Sequence, residues 1–372
     1  MQAEFEDLEQ VKKLWKNAFN EEEPFLSGYF DNFWKAENAL VLKDGNFLFG
    51  ALSMIPYTVF LNKNMVNSAY IVGVSIDEAY RGRNHSKSLM SECLKEQKKR
   101  GMALSLLIPF NYEFYHKLGY RLCYMLDIYE PKAESLPSYA GDSKVTKATK
   151  DDIQKLNEAY NIFCRDKNGY NLRTAKEWEY IFFEQKLFGG GVFTVRKNDK
   201  ITSYASYLTK NNEIFVRELV YTDIDSLNCL LSKLKEYKKI KIRTHHSDFL
   251  LKLLKNPKNC LKTVPTVMVR VTDIEKVLSL FTSDGLKIKI TDNFIEENCG
   301  IYEKSGENVI KSSGGDFDAS MDIGVFTQLA LGFSDANELA FTNQLEADSE
   351  TLKKLASIFP KQNNYINHIM EE

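Results

Sequence analysis

Two short stretches of the 372-residue sequence bring together residue types that could do chemistry. The first runs Val72-Gly-Val-Ser-Ile-Asp-Glu-Ala-Tyr-Arg-Gly-Arg-Asn-His-Ser86. A buried strand ends, a turn rich in glycine, arginine and asparagine follows, and a helix begins near His85. A helix start exposes backbone N–H groups without intrahelical partners, together with the positive end of the dipole, so it attracts phosphate. Arg81 and Arg83 add forked donors suited to phosphate oxygens. Physically this is a pyrophosphate cradle. Taken alone, the turn reads better as an ordinary strand–helix junction with two solvated arginines. The second stretch, Phe114-Tyr-His-Lys-Leu-Gly-Tyr120, places aromatic residues on a short helix closed by glycine.

The surrounding pattern predicts the elements that must position these stretches. Leu8, Val11, Leu14, Trp15, Ala18 and Phe19 recur at helical spacing and predict a first amphipathic helix. Ala39–Lys43 and Phe47–Ile55 read as strands joined by Asp44-Gly45, a hairpin signal, with a further strand over Tyr57–Leu61. Ser68–Ile76 reads as a buried strand. A helix over His85–Arg100 turns Leu89, Met90, Cys93 and Leu94 inward and ends in Lys98, Lys99, Arg100 and Gly101. Ala103–Ile108 is a predicted strand, Tyr112–Leu118 a helix and Tyr120–Tyr129 another strand. Pro131–Ser143 has linker composition. A second unit follows, with helices around Asp151–Phe163 and Trp178, strands near residues 191–195, 203–208 and 215–221, and a helix over Asp225–Tyr237. A third unit opens with a strand over Thr266–Asp273. It continues through a helix near Ile274–Phe281, strands at Leu286–Asp292 and Gly300–Glu303, a loop at Ser312–Asp316, and helices over Ile323–Leu331 and Ser349–Phe359. The expected fold class is α+β, a mixed α/β chain, with domains at 1–142, 143–265 and 266–372.

The first stretch resembles the pyrophosphate loop of the GNAT superfamily of N-acetyltransferases, Arg/Gln-x-x-Gly-x-Gly/Ala after a Val-x-Val strand. Asn84 and Ser86 depart from it, standing where small glycine-like residues are usual; asparagine tolerates left-handed backbone angles, and such a loop works through main-chain N–H groups. The second stretch matches that family's Phe-Tyr-x-Lys-Leu/Phe-Gly-Tyr/Phe. The resemblance implies acetyl-CoA as cosubstrate and no metal. It implies that Val74, Ser75 and Ile76 pair with the pantetheine arm and acetyl carbonyl, that Gly82, Arg83, Asn84, His85, Ser86 and Lys87 hold the pyrophosphate, and that Phe110 and Asn111 flank the arm. Tyr115 is then the expected general acid. A thiol has a pKa near ~8.5 and a phenol near ~10, so the phenol can protonate a leaving thiolate without being ionised itself. The alternative role for Tyr115 is packing a helix on the sheet, which Leu118 and Tyr120 can do.

The whole chain is similar to the enhanced intracellular survival (Eis) family, in which tandem GNAT folds, the second degenerate, precede a sterol-carrier-protein-like domain. Val74-Ser-Ile, the Arg-x-x-x-x-Trp of Arg173 to Trp178, and Val269-Arg-Val-Thr-Asp carry that likeness. It implies that the terminal carboxylate, Glu372, acts as base, and that the chain is a homo-oligomer, a hexamer. An acceptor pocket is expected among Glu21, Glu22, Glu23, Phe25, Phe30, Phe33 and Trp34, since carboxylates and aromatic faces favour ammonium groups; the aromatic spacing fits plain core equally well. The acceptor expected from this likeness is an aminoglycoside- or polyamine-like amine, or a peptide lysine. A non-catalytic lipid-binding or coenzyme-sensing protein is the competing reading.

Composition narrows the field. With 49 basic and 51 acidic residues the net charge is -2, which argues against a general nucleic-acid partner. The opening Met1-Gln-Ala-Glu-Phe-Glu-Asp lacks the apolar core of a signal peptide, and no run approaches the roughly 18 apolar residues of a membrane span. The six cysteines are scattered and read as reduced thiols, so a cytoplasmic location without a membrane partner is expected.

Overall fold

The computed structural model describes residues 1–282 and 285–367. They divide into two compact units, one built from residues 1–123 and 267–362, the other from residues 124–266 and 363–367.

The first unit opens with α1 (Leu8–Phe19), which buries Val11, Leu14 and Trp15, and α2 (Phe25–Asn32). Strands β1 (Ala39–Asp44), β2 (Phe47–Leu61) and β3 (Asn64–Ile76) then form an antiparallel meander. Gly45 at φ +57° makes the first hairpin turn, and Asn62 and Lys63, both at positive φ, make the second. The strand expected over Tyr57–Leu61 is the continuation of β2, whose register with β3 runs unbroken from Met54↔Ile71 to Leu61↔Asn64. Next come α3 (His85–Lys99), β4 (Leu104–Leu107), α4 (Tyr112–Lys117) and the two-residue β5 (Arg121–Leu122). The predicted strand Tyr120–Tyr129 is thus interrupted. Its second half, β6 (Met125–Tyr129), belongs to the sheet of the second unit.

That unit continues with β7 (Val145–Lys147), α5 (Ile153–Phe163), β8 (Tyr170–Asn171), α6 (Ala175–Leu187), β9 (Gly191–Lys197), β10 (Lys200–Lys210) and β11 (Glu213–Tyr221). It closes with α7 (Ile224–Leu234), β12 (Lys239–His245), α8 (Leu250–Leu253) and β13 (Leu261–Pro265). Its sheet has the order β13-β6-β12-β11-β10-β9-β7. Leu227, Leu230, Leu231 and Leu234 of α7 pack on Val195, Ala205, Val216 and Leu219. At the centre lies a buried ion pair: Arg173 donates from both Nη atoms to Glu218, at 2.7 Å each. Tyr204 and Tyr365 donate to the same carboxylate at 2.8 and 2.7 Å, and Arg173 also donates to Asn367 O at 3.2 Å. Burial opposes the charge on Glu218, yet Arg173 and these hydrogen bonds hold its carboxyl below the usual range. The guanidinium lies 5.0 Å from the Trp178 ring, so the Arg-x-x-x-x-Trp pattern encodes a core contact.

The strand expected to open the third domain, β14 (Met268–Val271), lies in the first sheet instead, antiparallel to β4 and β5, giving the order β1-β2-β3-β4-β14-β5. After it come α9 (Ile274–Ser279), β15 (Lys287–Thr291), β16 (Gly300–Ser305), β17 (Asn308–Ser312), β18 (Ala319–Asp322), α10 (Ile323–Ala330), α11 (Ala336–Phe341), β19 (Leu345–Ala347) and α12 (Ser349–Ile358). The strands form a separate sheet, β17-β16-β15-β18-β19. No described helix is long and apolar enough to cross a membrane, and none of the six cysteines forms a disulfide.

Removing one member of a buried ion pair strands the other charge. Glu218→Ala is therefore expected to lower the stability of the second unit by about 3–5 kcal/mol. Denaturant unfolding followed by circular dichroism would show an early transition, and an unchanged midpoint would refute the central place given to this pair.

Candidate active site

The site begins where two strands part. β3 runs parallel to β4 only over Ser68↔Leu104, Ala69↔Ser105 and Tyr70↔Leu106. Beyond Tyr70, β3 continues to Ile76 with β2 as its ladder partner, so its other edge faces a cleft. The cleft measures about 120 Å3 and is lined by Tyr70, Ile71, Val74, Ile108, Pro109, Phe110 and Tyr115. On the β2 side the register slips: Ala51 faces Ser75 and Ser53 faces Val72, leaving one extra residue on β3. Gly73 sits in this bulge at φ +66°, and a Cβ there would run into the Trp15 ring. A bulge re-aims the strand. Of the residues expected along the arm, Val74 lines the cleft, Ser75 donates its hydroxyl to Gly73 O at 3.1 Å, and Ile76 joins the apolar core. Ser75 and Ile76 can therefore contribute main-chain groups to a ligand, not side chains.

β3 delivers the chain to the turn before α3. Gly82 and Asn84 take φ +77° and +62°, so the asparagine in place of glycine adopts the left-handed conformation expected of it. Asn84 is the N-cap residue, but its side chain makes no capping bond, and the first turn of α3 carries no acidic residue. Gly82, Arg83, Asn84 and Lys87 are exposed; His85 and Ser86 are half-buried. An ideal Cβ on Gly82 meets nothing within 4 Å, leaving the turn open for a ligand's approach. These residues fit a pyrophosphate: uncapped N–H groups, the helix dipole and two nearby cations, with no carboxylate in the first turn of the helix. Braces hold the turn from behind. Arg81 Nε donates to Ile76 O at 3.1 Å, Tyr80 stacks on Phe49 at 4.2 Å and donates to Asp44 at 3.1 Å, and the Asp77 carboxylate accepts from Ala79 N at 3.0 Å. Arg81 thus ties the loop to the strand end.

Tyr115 lines the cleft while remaining 2% exposed. Phe110, Phe114 and Tyr120 meet its ring edge to face, with centroids at 5.5, 5.0 and 5.8 Å. Tyr120, the other tyrosine of the motif, is fully buried and shares a 2.6 Å hydrogen bond with Ser105; burial pushes its phenol well above the usual range. Phe110, 70% exposed, stands at the cleft mouth. Asn111 caps α4 by accepting from Phe114 N at 3.0 Å, so its side chain positions the helix. The motif alone missed Tyr70, Ile71, Ile108 and Pro109; only the strand geometry shows that they wall the cleft.

A polar groove of about 710 Å3 adjoins the turn, between α1 residues Leu14, Lys16, Asn17 and Ala18 and the segment Ile76–Arg81. The sequence pattern gave no sign of it. Of the expected acceptor-pocket residues, Phe25 and Phe30 are buried in an aromatic core with Trp15 and Tyr29, while Phe33 and Trp34 are partly exposed. Glu23 accepts from Ser27 N and Oγ at 3.1 and 2.7 Å, and partial burial raises the Glu21 carboxyl. Glu372 lies outside the described residues.

The second unit repeats the strand–helix–strand arrangement with different chemistry. β11 and β12 are parallel over Glu213↔Lys239 to Val216↔Ile242. The start of α7 is already capped by Asp223, which accepts from Ser226 N and Oγ at 2.9 and 2.8 Å. Lys197 bridges Asp223 and Asp225. A phosphate would meet carboxylates there.

Comparison with known proteins agrees with this geometry. Residues 2–123 and 169–271 match models described as acetyltransferase (GNAT) domains, and residues 274–367 match a sterol carrier protein domain. The chain is therefore a tandem-GNAT protein with a sterol-carrier-type third domain, and it falls in the class of acetyl-CoA-dependent N-acetyltransferases. Its Eis-like domain order extends over whole solved structures. A GCN5-related N-acetyltransferase from Anabaena variabilis superposes with TM-score 0.85 at 19% identity, covering 98% of both chains. A conserved Enterococcus faecalis protein, named a probable N-acyltransferase, gives 0.86 at 20% identity over 97% of both. Eis1 from Mycobacterium abscessus gives 0.79 at 15% identity, over 98% of this chain and 97% of that one. No curated protein matches the sequence.

Because Asn84 already holds the left-handed conformation, Asn84→Gly should change acetyl-CoA affinity by no more than about fivefold, relieving at most ~1 kcal/mol of strain. Asn84→Val, with a β-branched residue at that φ, should weaken binding by roughly tenfold or more in isothermal calorimetry. Equal affinities for the two variants would remove the turn's conformation from coenzyme binding.

Proposed function

We propose that the first GNAT domain transfers the acetyl group of acetyl-CoA directly to an amine, borne by an aminoglycoside- or polyamine-like molecule or a peptide lysine. The observation that carries this reading is the continuity of β3, the cleft and α3. One strand edge leads from Tyr115 to an uncapped helix start, matching a ligand with a thioester at one end of an amide-bearing arm and a pyrophosphate at the other.

In the proposed reaction, backbone groups of residues 74–76 orient the arm and polarise the acetyl carbonyl. A neutral amine attacks that carbon; the C–N bond forms as the C–S bond breaks. Tyr115 donates its proton to the departing sulfur and regains one from solvent. The proton lost by the amine passes to a base, for which Glu372 remains our candidate. In the polar groove beside the turn, Asp77 and Glu78, set among Lys16 and Arg81, are the carboxylates that would meet a cationic acceptor. Assembly as a homo-oligomer, a hexamer by family likeness, and a cytoplasmic setting belong to the same proposal.

Thiol release from acetyl-CoA across a panel of aminoglycosides, polyamines and lysine peptides tests it. Tyr115→Phe should lower kcat by roughly 100-fold or more, in the range of general-acid contributions, with acetyl-CoA affinity nearly unchanged. Wild-type turnover in that variant would remove Tyr115 from the chemistry. Appending a few residues after Glu372 should impair turnover if the terminal carboxylate takes part; full activity of the extended chain would exclude it.

A further inference from the structure

The short helix that carries Tyr115 is held at its C-terminal end by two arginines, and each arginine is held by a carboxylate of the third domain. Arg270, on β14 and fully buried, donates from Nη1 to Leu118 O and from Nη2 to Asp292 Oδ2. Arg121 donates from Nη1 to His116 O at 3.1 Å and Tyr120 O at 3.0 Å, and from Nη2 to Asp322 Oδ2 at 2.8 Å. These are the last carbonyls of α4 and of the turn that ends it, where the helix dipole favours cations. Neither carboxylate is loose. Asp292 Oδ1 accepts from Phe294 N and Ile295 N at 2.9 and 3.0 Å, and its Oδ2 accepts from Asn298 at 2.8 Å. Asp322 Oδ1 caps α10, accepting from Val325 N at 2.8 Å.

Backbone is shaped to admit the arginines. A Cβ on Gly119, at φ +81°, would collide with the Arg270 guanidinium and Ile323, and one on Gly324 would collide with Arg121. The segment that holds Arg270 also reaches the coenzyme helix: Asn298 Oδ1 accepts from Lys98 Nζ at 3.2 Å, and Lys87 Nζ lies 5.8 Å from the Phe294 ring. Buried ion pairs contribute little net stability compared with apolar packing. One such pair, Arg270–Asp292, and a second, partly exposed one, Arg121–Asp322, converge on one six-residue helix too short to hold its own geometry, which indicates a demand for position.

We propose that Asp292 and Asp322 are positioning residues for acetyl transfer: through Arg270 and Arg121 they fix the end of α4 and so the Tyr115 phenol beside the thioester sulfur. The third domain thereby sets the geometry of the first domain's site. This inference rests on Tyr115 as the acid, and the test separates the two.

The full chain is made as Asp322→Asn and Asp292→Asn, each alone and combined with Tyr115→Phe. Asparagine keeps the capping oxygen of Asp322 and replaces the oxygen that accepts from Arg121 with an amide NH2, so the carboxylate's grip on Arg121 is lost. That side chain is 42% exposed, so this variant keeps the test open if Asp292→Asn does not fold. Each single variant should lose about tenfold in kcat, the scale of a modest misplacement of a catalytic group, with KM for acetyl-CoA and its calorimetric Kd within about twofold. In the Tyr115→Phe background the same substitutions should add almost no further loss, because they act through the missing phenol. Wild-type kcat in Asp322→Asn, or an equal fall in both backgrounds, would overturn the positioning role. Wild-type kcat in Tyr115→Phe alone would instead overturn the acid assignment.

Discussion

The parting of β3 from β4 after Tyr70 and Leu106 is the constraint on which the rest depends. A strand edge that leaves its neighbour must find other partners for its N–H and C=O groups, and an amide-bearing arm supplies them in the same pattern as a strand. Gly73 and its bulge bend β3 toward that gap, and Pro109 in the facing wall has no N–H with which to close it. The same strand then runs directly into the turn at Gly82–Asn84. The proposed arm and pyrophosphate sites are therefore two ends of one backbone feature, which would let modest side-chain chemistry suffice there.

The second GNAT domain shows how little of this follows from topology. Its parallel pair and connecting helix repeat the arrangement, yet Asp223 occupies the helix start with a carboxylate, and Arg173 and Glu218 fill the interior with a paired charge joined to Tyr365 and Asn367 of the tail. A shared fold leaves the helix start open in the first domain, where the N-cap is the neutral Asn84 side chain, which makes no capping bond, and fills it in the second, where the N-cap is the Asp223 carboxylate.

The sequence was most legible where local chemistry and structure coincide. The helix start at His85 and the glycine stop at Gly119 follow from residue types at fixed offsets, while the left-handed Asn84 and the cleft-facing Tyr115 are expected from the resemblance to the GNAT motifs. Less legible was anything decided by distant partners. Met268–Val271 reads plainly as a strand, but its placement between β4 and β5 depends on neighbours well over a hundred residues earlier. β17 does not read as a strand because four of its five residues are exposed, Ile310 among them, leaving no buried face to detect. The aromatic run around Phe25–Trp34 carried two meanings, and burial of Phe25 and Phe30 assigns most of it to the core. The arginines that brace α4 looked like ordinary strand residues, since their carboxylate partners lie in another domain.

The most direct measurement is a crystal structure of the full chain with acetyl-CoA bound. The pyrophosphate should lie within hydrogen-bond distance of the main-chain N–H groups of residues 82–87, the arm should run along β3 at residues 74–76, and the sulfur should come within reach of the Tyr115 hydroxyl. A pyrophosphate held elsewhere, such as at the start of α7, or a sulfur remote from Tyr115, would contradict the central claim.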